Sequence, residues 1–241
     1  DGIRDQPRSR GLGDVYKRQN IGVVDMPRVM IVGANRGIGR ALLDGYLEKG
    51  WECIATSRKE QDAEDDVTWI KLDVRNPNSH VPIIGKLDLL ICNAGVFLDR
   101  GDKIGSGFEA DLWRDTFATN VTGTYLAIET QLEALRASNN PKIAIISSQM
   151  ASDTTAPGGS YIYRSSKAAS LNLGRNLATD LKSEGISVGI YHPGWVQTDM
   201  TSNKGNLTPS ESASGLIERF SNLSIETTGC FETWDGRIHP Y

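Results

Sequence analysis

Val29-Met-Ile-Val-Gly33-Ala-Asn-Arg-Gly37-Ile-Gly39-Arg-Ala-Leu-Leu43 decides the fold of this chain. An apolar run of strand length meets a glycine-rich turn, and beyond it Ile38, Leu42, Leu43, Tyr46 and Leu47 recur at helical spacing. Glycines at such a turn let the backbone approach a pyrophosphate, which then lies over the amides of the helix N-terminus. Gly33, Gly37 and Gly39, with Asn35, Arg36 and Ile38 between them, are therefore candidate binding residues. The spacing is Gly-x-x-x-Gly-x-Gly rather than the commoner Gly-x-Gly-x-x-Gly. A plain tight strand–helix connection is the competing reading, and the strand before the turn and the helix after it weigh against that.

A second strand, Cys53-Ile-Ala-Thr56, ends at Ser57-Arg58. In dinucleotide-binding folds an acidic residue at this point binds the ribose 2′-hydroxyl. Here Ser57 stands there, with Arg58 beside it and Arg36 in the glycine loop. Two guanidiniums suit a 2′-phosphate through paired hydrogen bonds, which favours NADP(H) over NAD(H); merely solvated arginines are the alternative. Strands read at 28–32, 52–57, 68–72, 87–92, 142–147 and 186–191, and helices at about 37–49, 111–136 and 160–184. A brief helix is expected between Val74 and Lys86, and a terminal strand in Gly229-Cys-Phe-Glu-Thr-Trp234 before a turn at Asp235-Gly236. This alternation implies a doubly wound parallel sheet, the three-layer α/β Rossmann fold, in a single domain.

Tyr161-Ile-Tyr-Arg-Ser-Ser-Lys167 places the Tyr163 phenol and the Lys167 ammonium on one face of a helical turn. A free phenol, with a pKa of about 10, is a poor acid or base at neutral pH, and a neighbouring cation favours its ionised form. The pair suits proton transfer at a carbonyl oxygen, although the same spacing also arises on solvated helix faces.

With these segments in place the chain resembles a short-chain dehydrogenase/reductase from about Met26 to its C-terminus. The matching stretches fall in the family's order: the glycine turn, Leu72-Asp73-Val74, Asn93-Ala94-Gly95, Asn120, Ser147-Ser148, Tyr163-x-x-x-Lys167 and Pro193-Gly194-Trp-Val196-Gln-Thr198. The resemblance implies that Asp73 and Val74 flank the adenine and that Asn93, Ala94 and Gly95 let a strand pass close to the cofactor. It places Pro193, Gly194, Val196 and Thr198 along the nicotinamide and pyrophosphate. The family's catalytic tetrad falls on Asn120, Ser148, Tyr163 and Lys167. The implied reaction is hydride transfer to a carbonyl carbon. In it Tyr163 acts as general acid, Ser148 fixes the carbonyl oxygen, Lys167 holds the ribose and lowers the phenol's pKa, and Asn120 anchors a water that relays protons to the lysine. The family's usual serine-to-tyrosine interval, counted from Ser148, lands on Tyr161; an insertion in the loop Gln149 to Ser160 restores Tyr163. Ser147 is the weaker alternative to Ser148, and Tyr161 is assigned to the substrate pocket.

Asp1 to Gln19 looks foreign. Ser9-Arg-Gly-Leu-Gly-Asp-Val-Tyr-Lys-Arg-Gln19 reads like the in-frame translation of a transposase-type sequencing adapter, so the natural start is expected at Met26. The leader lacks the apolar core of a signal peptide. The chain's 26 Lys/Arg and 30 Asp/Glu give a net charge of −4, and setting the basic leader aside makes the body more acidic. That balance argues against nucleic acid as a partner, and no apolar run approaches the ~18 residues of a membrane span. Cys53, Cys92 and Cys230, odd in number and widely spaced, fit free thiols in a reducing cytoplasm. His80, His192 and His239 show no metal-ligand spacing.

Thr208-Pro-Ser-Glu211 reads as a helix start with a capping box. The lid before it, Asp199 to Asn206, is short and polar, as in the carbonyl-reductase and C-factor-like branch of the family. An open site for small aldehydes or ketones is the expectation, with Trp195, Tyr161, Met150 and Phe97 as candidate apolar lining. By resemblance the chain forms a homodimer or homotetramer, and small residues at Ala168, Ala169, Ser170 and Gly174 permit close helix approach. One rival is a dinucleotide-binding sensor without turnover, against which the intact Ser148, Tyr163 and Lys167 argue. Another is an epimerase-like use on sugar nucleotides, which usually needs a larger C-terminal substrate domain.

Overall fold

The computed structural model describes residues 26–241, so the foreign leader expected at Asp1–Gln19 lies outside the described residues. The strands are β1 (Arg28–Val32), β2 (Glu52–Ser57), β3 (Val67–Lys71), β4 (Leu89–Cys92), β5 (Lys142–Ile146), β6 (Ser187–His192) and β7 (Phe231–Thr233). The helices are α1 (Gly37–Glu48), α2 (Ala110–Phe117), α3 (Gly123–Arg136), α4 (Tyr161–Asp180) and α5 (Pro209–Asn222). All strands pair in parallel in the order β3-β2-β1-β4-β5-β6-β7. The order reverses between β1 and β4, and ligands of such sheets bind outside the strand ends at that crevice.

Both faces of the sheet are covered, which is why its strands read as continuous apolar runs. Successive side chains of β1 serve opposite cores. Val29 and Ile31 pack with Leu42, Leu43 and Tyr46 of α1 and with Leu216 and Phe220 of α5. Met30 and Val32 join Ile128 and Leu135 of α3 on the other face. Burying each such side chain contributes ~1.5–3 kcal/mol. Gly174 lets α4 lie close on the sheet, because a Cβ there would come within 2.7 Å of Ile190 Cγ1. This glycine, read above as a helix–helix approach point, faces Ile190 and Ile145 of the sheet in its own chain.

The single helix expected at 111–136 is two helices joined by a π-helical turn, Ala118–Thr122, and Asn120 lies inside that turn. The helix expected at 160–184 ends at Asp180 in a 3₁₀ turn, Leu181–Glu184. Between Val74 and Lys86 only the 3₁₀ turn Pro77–Ser79 forms, closed by the Asn76 side chain accepting from the Asn78 amide. Thr208 and Glu211 make the expected capping box of α5: the Glu211 amide donates to Thr208 Oγ1 (3.2 Å) and the Thr208 amide to Glu211 Oε2 (2.8 Å). No described helix is long and apolar enough to cross a membrane.

Candidate active site

At the C-terminal ends of β1, β2 and β4 lies a groove of about 390 Å³. Its floor is the glycine turn. Gly33 has φ +86°, and a Cβ on it would press on Ala94 Cα at 3.0 Å. At Gly39 a Cβ would strike the Gly33 carbonyl oxygen at 2.0 Å. The Gly33 amide donates to Thr56 Oγ1 (3.0 Å) and its carbonyl accepts from Asn93 Nδ2 (2.7 Å), which ties the turn to β2 and to the end of β4. Arg36, at the N-cap of α1, makes no side-chain cap, so the first-turn amides have no side-chain partner from it. Such amides bind anions, and Gly37 and Ile38 of this turn border the groove.

The second half of the site sits where β5 runs out against α4. Tyr163 and Lys167, one turn apart, are both buried. Ser148 sits beside the Tyr163 phenol and lowers its pKa, while its Oγ accepts from the Met150 amide at 3.1 Å. Lys167 Nζ donates to the Ile146 carbonyl at 2.9 Å and lies 5.8 Å from the centre of the Tyr163 ring. Asn120 Oδ1 accepts from the Val96 amide (2.8 Å), while its Nδ2 donates to the Val96 carbonyl and to Ser166 Oγ, each at 2.9 Å. The π turn thereby clamps the loop after β4 to α4. Gly95 joins the two halves: it borders the groove, and a Cβ on it would lie 3.4 Å from Asn120 Oδ1 and 3.5 Å from Lys167 Nζ.

Burial dominates the electrostatics. Loss of solvent pushes the Tyr163 phenol up to about 12; Ser148 and the Arg100 charge pull it down, and Asp99 pushes it further up. Burial likewise brings Lys167 down to about 8. Desolvation thus dominates the phenol, and Lys167, expected to lower it, is not among the groups that shift it.

Of the residues singled out from sequence, Asn35, Arg36, Gly37, Ile38, Ser57, Arg58, Asp73, Val74, Asn93, Ala94, Gly95 and Thr198 line the groove together with Gly33. Gly39, Pro193, Gly194 and Val196, expected beside the cofactor, are not among its lining residues. The Pro193 carbonyl accepts from Ser212 Oγ (2.6 Å), Gly194 (φ +88°) leaves no room beside Leu207 and Trp234, and Val196 is buried. Ser147 hydrogen-bonds the Lys167 carbonyl (3.3 Å) and not the phenol, and Tyr161 points outward against Phe108. Phe97 stacks on the Tyr163 ring with centroids 4.2 Å apart, whereas Trp195 is 54% exposed. Cys53 and Cys92 are buried free thiols, as read, and no group of three or more potential metal ligands occurs among the described residues.

Sequence reasoning passed over Thr56, Arg75 and Asp199. Arg75 forms an ion pair with Asp73 (3.0 Å), and Asp199 of the lid holds Arg36. It also passed over Asp99, which no motif or spacing marks.

A family model for short chain dehydrogenases matches residues 27–207. The 1-hydroxy-2-glutathionyl-2-methyl-3-butene dehydrogenase of Rhodococcus sp. (strain AD45) is 33% identical over 88% of this chain and 98% of its own length. The C-signal of Myxococcus xanthus is 36% identical over 65% of this chain and 94% of its own. Among solved structures, the NADPH-bound carbonyl reductase from chicken fatty liver superposes with a TM-score of 0.79 at 28% identity, covering 90% of this chain and 99% of that one.

Proposed function

The chain belongs to the short chain dehydrogenase family, and from that premise we propose that it is an NADPH-dependent reductase of small aldehydes or ketones with Tyr163 as proton donor. The observation that carries this reading is the burial of the Tyr163 phenol beside Ser148, with Lys167 one turn behind it. A non-catalytic dinucleotide binder has no use for a proton donor held in that way.

The groove suits the cofactor. Gly37 to Gly39 would hold the pyrophosphate at the N-terminus of α1, Asp73 and Val74 the adenine, Thr198 the nicotinamide side, and Lys167 the adjoining ribose. For the 2′-phosphate, Arg36 is occupied by Asp199 and Arg75 by Asp73, while Arg58 forms no salt bridge among the described residues. Arg58 is thus the guanidinium most open to a phosphate, and the NADPH of the chicken carbonyl reductase supports the same choice. When bound, NADPH supplies the hydride to the carbonyl carbon. Ser148 donates a hydrogen bond to the carbonyl oxygen and holds it at Tyr163 Oη, from which the proton passes to give the alcohol. A phenol pushed up to about 12 stays protonated at neutral pH, as a donor must. Lys167, at about 8, is mostly charged there and would reprotonate the phenolate, itself resupplied by a water that Asn120 would anchor. In keeping with the family, the active form would be a homodimer or homotetramer in the cytoplasm.

The test is NADPH consumption with a panel of small aldehydes, ketones and diketones. Tyr163→Phe should lower kcat by about 10²–10⁴-fold while NADPH still binds. Arg58→Ala should reduce the preference for NADPH over NADH roughly tenfold, the worth of one hydrogen bond to a charged group. Tight NADPH binding with no turnover on any carbonyl would favour a signalling role, consistent with the likeness to C-signal.

A further inference from the structure

Asp99 is wholly buried, at 0% exposure, in the loop that follows β4. Its Oδ2 accepts from the Ile162 amide at 2.9 Å, and Oδ1 and Oδ2 share the Tyr163 amide at 3.2 and 3.4 Å. These are first-turn amides of α4, so Asp99 caps a helix that begins more than sixty residues later in the chain. The helix has no local substitute. Ser160, at its N-cap, sits in the left-handed region (φ 48°, ψ 45°) and makes no side-chain cap, and Gly158 and Gly159 before it also have positive φ. A carboxyl group taken wholly out of water is costly unless its oxygens are hydrogen-bonded. The N-terminal end of α4 meets that need with its amides and its positive dipole.

We propose that Asp99 is a positioning residue of the active site: by accepting from the Tyr163 backbone itself, it fixes the first turn of α4 and hence where the phenol meets Ser148. The inference rests on the reading of Tyr163 as proton donor. The neighbouring arginine completes the device. Arg100 lies over the Phe97 ring, 4.9 Å from its centre, Phe97 stacks in turn on Tyr163, and the Arg100 guanidinium donates to the Met200 carbonyl of the lid. The groups facing the phenol are therefore Asp99 and Arg100 from one loop, Ser148 from the loop after β5, and Lys167 from α4. Asp99 and Arg100 act on it in opposite senses, the first raising and the second lowering its pKa.

Asp99→Asn keeps the shape and an acceptor oxygen without the charge; Asp99→Ala removes both. In the Asn variant kcat should fall about tenfold, with KM and NADPH affinity almost unchanged, because one charge-assisted hydrogen bond is weakened. The alkaline loss of reductase activity should move to lower pH, since removal of the negative charge eases ionisation of the phenol; Arg100→Gln should move it to higher pH. In Asp99→Ala, amide exchange should accelerate at Ile162 and Tyr163 and stay slow in β5. Should the Ala variant fail to fold, the Asn variant carries the test. Unchanged exchange at both amides would overturn the proposal, as would a kcat loss that follows only the loss of folded protein with the alkaline limb unmoved. A parent protein without turnover would overturn the reductase reading, and the catalytic part of this inference with it. An active parent whose Asp99 variants match it would overturn the inference alone.

Discussion

The two ends of the sheet each carry a cavity, and they differ in the opposite sense to their sizes. At the N-terminal ends of the strands, between α1 and α5, lies a space of about 1010 Å³ bordered by Trp51, Asp88, Lys142 and Phe220. At the C-terminal ends the groove of about 390 Å³ holds the glycine turn and adjoins Tyr163 and Lys167. Helix polarity separates the two. The lower end receives the last turns of α1 and α5, whose free carbonyls carry partial negative charge. Lys142 Nζ answers them, donating to the Phe220 and Ser221 carbonyls at 3.2 and 2.7 Å. Asp44, Glu48 and Glu218 add further negative charge there. The upper end receives the first turns of α1 and α4, whose amides face the groove or are capped by Asp99. The upper end offers a phosphate backbone amides together with Arg36 and Arg58, whereas at the lower end Lys49 and Lys142 stand among Asp44, Glu48 and Glu218. On the proposed function, cavity volume is thus a poorer guide to the site than the direction of the helices.

The sharpest way to break that contrast uses two glycines of one helix. Gly39→Ala at the upper end would place a Cβ 2.0 Å from the Gly33 carbonyl oxygen. It should cost about 3 kcal/mol and weaken NADPH binding about a hundredfold, since backbone must move. Gly45→Ala at the lower end meets only the tip of Ile217, at 2.6 Å, and should change stability by less than about 1 kcal/mol because helix propensity improves. Fluorescence titration with NADPH and chemical denaturation of both variants measure the difference. Equal losses in the two would undo the contrast.

A smaller effect follows from pH. His192, at the upper end of β6, is buried with no partner on Nδ1, and burial brings it from 6.5 down to about 4. Between those values the unfolded chain binds a proton that the folded one refuses, so stability falls as pH drops from about 6.5 to about 4. The loss should be roughly 2–3 kcal/mol. Urea denaturation at the two ends of that window, with His192→Gln alongside, reads it; parallel curves for both proteins would exclude His192 as the cause.

The smallest effect lies at the lower end again. Lys142→Met removes two donors from the C-terminus of α5 and should cost about 1 kcal/mol with kcat and KM unchanged. Any change in kcat would mean that the two ends are coupled.

Much of the upper end was legible in the chain because its signals are local. Gly33, Gly37 and Gly39 announce a tight strand–helix turn by spacing alone, and Tyr163 and Lys167 announce a shared helix face. Ser148 against Ser147, and Tyr163 against Tyr161, could not be separated by counting, because the loop from Gln149 to Ser160 has no regular repeat. In the structure Ser148 sits beside the Tyr163 phenol while Ser147 donates to the Lys167 carbonyl, and Tyr163 is buried while Tyr161 is exposed. The π turn at Asn120 was illegible for a related reason: its sequence is acceptable in a plain helix, and the clamp to Val96 pays for the irregular geometry.

The sequence by itself determined the alternation of strands and helices, the parallel sheet and the glycine turn, since each follows from periodicity and backbone freedom over a few neighbouring residues. Only the tertiary structure decided that desolvation dominates the phenol of Tyr163, that Asp199 occupies Arg36, and that Asp99 supplies the cap that α4 lacks. Those outcomes depend on burial and on partners distant in the chain, which no short stretch of sequence encodes.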